Sequence, residues 1–270
     1  MRVAFWNCTL GGSSSRLKTN CFKDWVQERA PSLLCLEEVS EKLLHGSPAD
    51  ITNLAPGYKV LAYCNTLDKN ENPTTKCIAA LARSAEVQSY GMQARAMTFP
   101  GLEQTRMLVK VTMAMNMPAV WVIHANASKS GGERAIESVS TYLTSGAGRN
   151  AIVGGDFNCK IERARNIFGT GNCKAVKARS HNLTRLNFTQ WNDQAHSAIP
   201  NALLAQYHLS IANAPRYGAK LIKPNFGPID YLAHGEEVGV QKCPNCASEA
   251  VWWDILCNFD HCPVVYEVNE

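Results

Sequence analysis

Apolar positions along this chain fall mostly into short blocks, continuous or alternating, bounded by Gly, Pro, Asn and Ser. That is strand patterning, with turns between. The blocks predict strands at Arg2–Asn7, Leu33–Leu36, Tyr58–Cys64, Ile78–Arg83, Val87–Tyr90, Met107–Met115, Ala119–His124, Ala151–Val153, Ile229–Ala233 and Val264–Val268. Two stretches have helical spacing instead: Leu17–Ala30, with Cys21, Phe22, Trp25 and Val26 on one face, and the run after Gly131–Gly132, with Ala135, Ile136, Val139, Tyr142 and Leu143. Asn201–His208 reads as a shorter helix. Hairpins mixed with strand–helix–strand units argue for layered α/β architecture. There is no internal repeat, and no stretch rich enough in Pro, Gly or Ser to act as an interdomain linker, so residues 1–270 are expected to form one domain.

The apolar blocks end in polar residues more often than loop chemistry requires. "VAFWNC" ends on Asn7, "LLCLEEV" on Glu37 and Glu38, and "VWVIHAN" on His124. "AIVGGDFNCK" leaves a buried strand through a glycine pair, read as a turn, and at once presents Asp156 and Asn158. On its own that segment fits an Asx-turn equally well. "PIDYLA" places Asp230 within a strand, and "NFDHCPVV" sets Asp260 and His261 ahead of the last one. Strand ends are where a rigid sheet holds reactive groups at a cleft. Carboxylates, amides and imidazoles together suit a hard divalent cation with oxygen ligands plus acid–base catalysis, the equipment for hydrolysing a phosphate ester.

Composition narrows the picture only slightly. With 46% hydrophobic and 19% charged residues the chain reads as a soluble globule, and a net charge of +4 permits a polyanionic partner without demanding one. No apolar run reaches membrane-spanning length, because Lys110 and the turn-like Asn116–Pro118 interrupt the longest. The chain opens on a strand with no signal-peptide core, and its eleven cysteines show no secreted disulfide framework. A reducing, cytoplasmic setting is therefore expected, unless a leader was removed. Cys243 and Cys246 have the spacing of a zinc ligand pair. Cys257 lies in an apolar block, however, and free thiols are favoured over structural Zn2+ or a disulfide. The basic stretch from Lys160 to Arg185 fits either a groove for nucleic-acid phosphates or a solvated face.

The ordered set "WN", "LCLEE", "IHA", "GGDFN", "IDY" and "DHCPV", from Val3 to Val265, resembles the endonuclease/exonuclease/phosphatase superfamily typified by deoxyribonuclease I and exonuclease III. "IHANASKSGGERA" and "WNCTLGGSSS" are similar to the deoxyribonuclease I and cytolethal distending toxin B branches. The resemblance implies a four-layer α/β/β/α sandwich, two mostly antiparallel sheets face to face with helices outside. It implies a Mg2+ or Mn2+ cofactor and these roles: Glu38 as principal metal ligand, Asp260 as a second, and Asn7 holding metal or phosphate. Asp156 orients or deprotonates the attacking water, and Asn158 donates to the phosphate. His261 contacts the scissile phosphate with Asp230 orienting it, and His124 serves as general acid. Arg106 stands where the toxin branch has a phosphate-contacting arginine, and reads equally as a solvated residue.

The family usually has Gln-Glu where this chain has Glu37–Glu38, and strand alternation is expected to point the two carboxylates apart. A nuclease acting on DNA or RNA is the favoured activity. A phosphoinositide or other phosphatase comes next, then a non-catalytic nucleic-acid-binding module.

Overall fold

The computed structural model describes residues 1–11, 14–46, 50–68, 70, 72–102, 107–114, 116–126, 131–159, 163–164, 166, 174–176, 230–242, 259, 261 and 263–269. The expected helix at 201–208, Arg106, Asp260, Cys243, Cys246, Cys257 and Cys262 lie outside them, as does most of the basic stretch. Of Asp230 only the backbone is described.

Among the described residues two six-stranded sheets make up the body. The first contains β1 (Arg2–Asn7), β2 (Leu33–Ser40), β3 (Tyr58–Leu67), β4 (Pro73–Arg83), β11 (Val240–Lys242) and β12 (Val264–Val268), in the order β11-β12-β1-β2-β4-β3. The second contains β5 (Gln93–Thr98), β6 (Met107–Thr112), β7 (Ala119–His124), β8 (Ala151–Asp156), β9 (Lys174–Val176) and β10 (Asp230–His234), in the order β5-β6-β7-β8-β10-β9. Among the described residues the pairing is antiparallel except for one parallel pair in each sheet, β1 with β2 and β7 with β8.

A parallel pair needs a crossover, and a helix supplies each one. Helix α1 (Arg16–Arg29) joins β1 to β2, its first turn capped by the Ser15 hydroxyl accepting from the Lys18 amide and its end closed by Ala30 in left-handed conformation. Its apolar face buries Cys21, Phe22, Trp25 and Val26 against Ala4, Trp6, Leu34 and Leu36 on the outer side of the first sheet. The helix Gly131–Thr144 joins β7 to β8, and Tyr142 packs edge-on against Trp121 of β7. Between the sheets, alternate residues of β1 and β2 (Val3, Phe5, Leu33, Cys35) meet the inner side of the second sheet. The order helix, sheet, sheet, helix is the four-layer sandwich expected. Each large apolar side chain buried this way contributes about 1.5–3 kcal/mol.

Three features depart from the sequence reading. Val87 lies not in a strand but in the short helix Ser84–Ser89. Arg83 and Glu86 pair one helical turn apart, Gly91 follows at positive φ, and Val87 and Tyr90, three residues apart, both lean on the core. The glycine pair is not a turn either: β8 runs unbroken through Gly154 and Gly155 to Asp156. A Cβ on Gly154 would lie 2.4 Å from the Phe5 ring, and one on Gly155 2.1 Å from the Ile123 carbonyl oxygen and 2.7 Å from a Glu37 carboxylate oxygen. The glycines let the sheets close. The edge strand Gln93–Thr98 has no apolar run to betray it, and its residues are half-buried or exposed.

Candidate active site

Each parallel pair ends its register on polar residues, Asn7 opposite Glu37 in the first sheet and His124 opposite Asp156 in the second. On the far side of β8, Asp230 is the register partner of Asp156. The two rows meet across the sandwich. The Asn7 amide donates from Nδ2 to Asp156 Oδ2 at 3.2 Å, with Asn7 and Asp156 both 2% exposed.

Asp156 is held on both oxygens. Its Oδ1 accepts the Asn158 backbone amide at 2.8 Å, which is the Asx-turn the segment suggested, while Oδ2 faces Asn7. The turn and the inter-sheet contact therefore coexist. Phe157 between them is fully buried and stacks on Tyr231 at 4.4 Å, anchoring the turn. Asn158 sits at φ 48° and donates from Nδ2 to the Ala125 carbonyl at 2.7 Å, so some of its donor capacity is already committed within the protein.

Glu38 is carried by an irregularity. The β2–β4 register shifts between Leu36 and Val39, and Glu38 has φ 56°. Alternation keeps Glu37 on the inner face with Cys35, fully buried, its Oε2 accepting the Asp156 backbone amide at 2.8 Å. The bulge turns Glu38 to the rim instead. There Oε1 lies 3.8 Å from His124 Nε2, and Oε2 accepts from Lys76 Nζ. Thr9, also at positive φ (44°), sets its hydroxyl 3.4 Å from both Asn7 Oδ1 and Glu38 Oε2. Three of the chain's described non-glycine residues at positive φ thus cluster at this rim, a pattern of strain that recurs at functional sites.

The electrostatics follow from this packing. Burial resists the charge on Glu38, but the Lys76 hydrogen bond and the nearby His124, Lys76 and His261 outweigh it, and its pKa is lowered. For His124, burial dominates over the favourable Asp156 and Glu38, and its pKa falls below the usual imidazole value, leaving the ring neutral at neutral pH. His124 Nδ1 is buried with no hydrogen-bond partner among the described residues. His261 is 6% exposed and close enough to act electrostatically on both Glu38 and His124. Its carbonyl accepts from Trp6 Nε1 at 3.0 Å, tying this segment to the aromatic cluster of Trp6, Phe22, Trp25 and Phe259.

Of the site residues expected from sequence, Asn7, Glu38, His124, Asp156, Asn158 and His261 are brought together, with the Asp230 backbone beside them. Arg106 and Asp260 lie outside the described residues. Among the described residues no three His, Cys, Asp or Glu side chains are grouped as a metal would require. The donor set still fits a hard cation that keeps several waters. Asn7 Oδ1 and Glu38 Oε2 both lie 3.4 Å from the Thr9 hydroxyl oxygen, a cluster of hard oxygen donors, and Mg2+ is commonly held by one or two carboxylates. Thr9, Lys76 and the inter-sheet role of Glu37 are not legible in the sequence. Positive φ and strand register, which bring them in, leave no mark in composition or periodicity.

No family model matches the chain, and no curated protein matches it. Solved structures do. The chain is similar to Danio rerio TDP2 complexed with single-strand DNA product (13% identity, TM-score 0.55, covering 100% of this chain and 99% of that one). It is similar to a mannosyl-6-phosphatase from Bacteroides thetaiotaomicron (14% identity, TM-score 0.54, 100% of both chains). A third match is the endonuclease/exonuclease/phosphatase from Bacteroides vulgatus (12% identity, TM-score 0.54, 99% and 98% covered). The chain has the fold that these three structures have.

Proposed function

We propose that this protein is a divalent-metal-dependent phosphoesterase, and that its substrate is a nucleic-acid phosphodiester. The observation that carries the reading is the Asn7–Asp156 contact. It sets two polar strand ends from opposite sheets against each other, beside the carboxylate of Glu38 and the imidazoles of His124 and His261. Glu38 and Asn7 would hold Mg2+ or Mn2+, with Asp260 as a further ligand. The bound ion supplies charge neutralisation on the phosphoryl oxygen.

Asp156 orients the attacking water and accepts its proton, a task suited to a carboxylate fixed on both oxygens. Asn158, held by its bond to Ala125, presents its remaining amide hydrogen to a phosphate oxygen. His261 and Asp230 act on the phosphate as a pair. His124, neutral in the free protein, takes up a proton with the anionic substrate and gives it to the leaving oxygen.

The nuclease reading draws support from the TDP2 structure, whose bound product is single-strand DNA, and from the basic stretch following the Asp156 loop. A phosphomonoesterase is the second reading, because the mannosyl-6-phosphatase is as similar in fold. Parallel assays on single-strand DNA, duplex DNA, RNA, a phosphoinositide and a sugar phosphate decide between them, each with Mg2+, Mn2+ or chelator. The expected outcome is metal-dependent cleavage of a nucleic acid, abolished by chelation and reduced at least about 10²-fold in Asp156→Ala. Turnover confined to the phosphomonoester establishes the second reading, and turnover that survives chelation overturns the metal requirement.

A further inference from the structure

Lys76 stands at the solvent side of the rim, on β4 opposite Ser40. Its side chain is 46% exposed, yet its ammonium hydrogen-bonds Glu38 Oε2, the same carboxylate oxygen that the Thr9 hydroxyl approaches at 3.4 Å. That oxygen also belongs to the oxygen cluster that fits a hard cation. Two cations cannot share it. At hydrogen-bond distance an ammonium repels a divalent ion bound to the same oxygen, and it fills the coordination direction the ion needs. The other carboxylate oxygen is turned to His124. A lysine on a flexible four-carbon stem, anchored on a neighbouring strand and open to water, is free to leave without disturbing the sheet.

We propose that Lys76 is an internal counter-ion for Glu38, occupying the carboxylate when no metal is bound and displaced when one binds. The proposal rests on the metal-dependent reading above. Its effect is to set the metal concentration at which the site loads: the apo carboxylate stays neutralised, and the lysine competes with every incoming ion.

The test is Mn2+ binding to the full chain, followed by electron paramagnetic resonance of the free ion and by calorimetry, in the absence of any substrate. Wild type is compared with Lys76→Met, Lys76→Arg and Glu38→Gln. Lys76→Met should bind Mn2+ about three- to tenfold more tightly, since a half-exposed charged contact has been removed from the apo state alone. Lys76→Arg keeps the competing charge and should remain near wild type, which separates charge from loss of bulk. Unchanged or weaker binding in Lys76→Met, with Glu38→Gln impaired, overturns the counter-ion and leaves the metal reading intact. Equal binding in wild type and Glu38→Gln overturns both, because Glu38 is then no ligand.

Discussion

The Glu37 carboxylate of the first sheet accepts the backbone amide of Asp156 in the second at 2.8 Å, with Glu37 wholly shielded from water. The side chain that alternation was expected to point away from Glu38 therefore joins the two sheets at the base of the site. Only an acceptor is needed for this bond, and the amide oxygen of glutamine provides one. Glu37→Gln is expected to keep near-wild-type stability and activity. Glu37→Leu leaves a buried N–H unsatisfied and should lower unfolding free energy by about 1–3 kcal/mol. Urea denaturation of both variants checks this.

Gly154→Ala places a methyl group where the Phe5 ring already lies, 2.4 Å away. Overpacking of this kind typically costs about 1–3 kcal/mol. Adding Phe5→Leu should recover some of the loss, so a double-mutant cycle on thermal unfolding should give a favourable coupling energy. Strict additivity would place the clash elsewhere.

Thr9 is a β-branched residue in left-handed conformation at φ 44°. Thr9→Gly relieves that strain while loosening the unfolded chain, so stability should change by no more than about 1 kcal/mol in either direction. Activity on the best phosphate substrate should nonetheless fall, because the hydroxyl between Asn7 and Glu38 is gone. The informative readout is this split between denaturation midpoint and kcat/KM.

Burial pushes the Cys64 thiol up to about 12. In the unfolded chain a thiol loses its proton near pH 8.5. Between those values the folded state binds more protons than the unfolded state, so stability present at neutral pH is lost as pH rises from about 8.5. Each such thiol contributes a decline of at most about 1.4 kcal/mol per pH unit. Cys35, fully buried, acts in the same direction. Unfolding curves at pH 8, 9 and 10 should show a shallower decline for Cys64→Ala than for wild type.

The apolar blocks reveal β1, β7 and β12 to the residue because these strands are buried on nearly every position and show as continuous apolar runs, and the two crossover helices nearly so because each buries one face at helical spacing. Strand-end polar residues are visible for the same reason: Asn7, His124 and Asp156 interrupt apolar runs. What periodicity does not show is direction after a break in alternation. Glu38 reaches the rim only through a bulge at positive φ, and Gly154 and Gly155 belong to a strand because another sheet presses on them. Lys76 enters through the register Ser40↔Lys76, which no local pattern encodes.

The strands of the second sheet all lie in sequence between β4 and β11, while the first sheet takes β11 and β12 from the far end of the chain and pairs β12 with β1. One half of the site, His124 and Asp156, is therefore carried on a continuous segment. The other, Asn7 and Glu38, belongs to a sheet that closes only when distant segments meet, the kind of long-range pairing that slows folding. A chain with its second sheet formed and its first unclosed would carry Asp156 without Asn7 and Glu38 set against it. On the proposed reading such a chain would be inactive, and activity in a refolding experiment should appear only with closure of the first sheet.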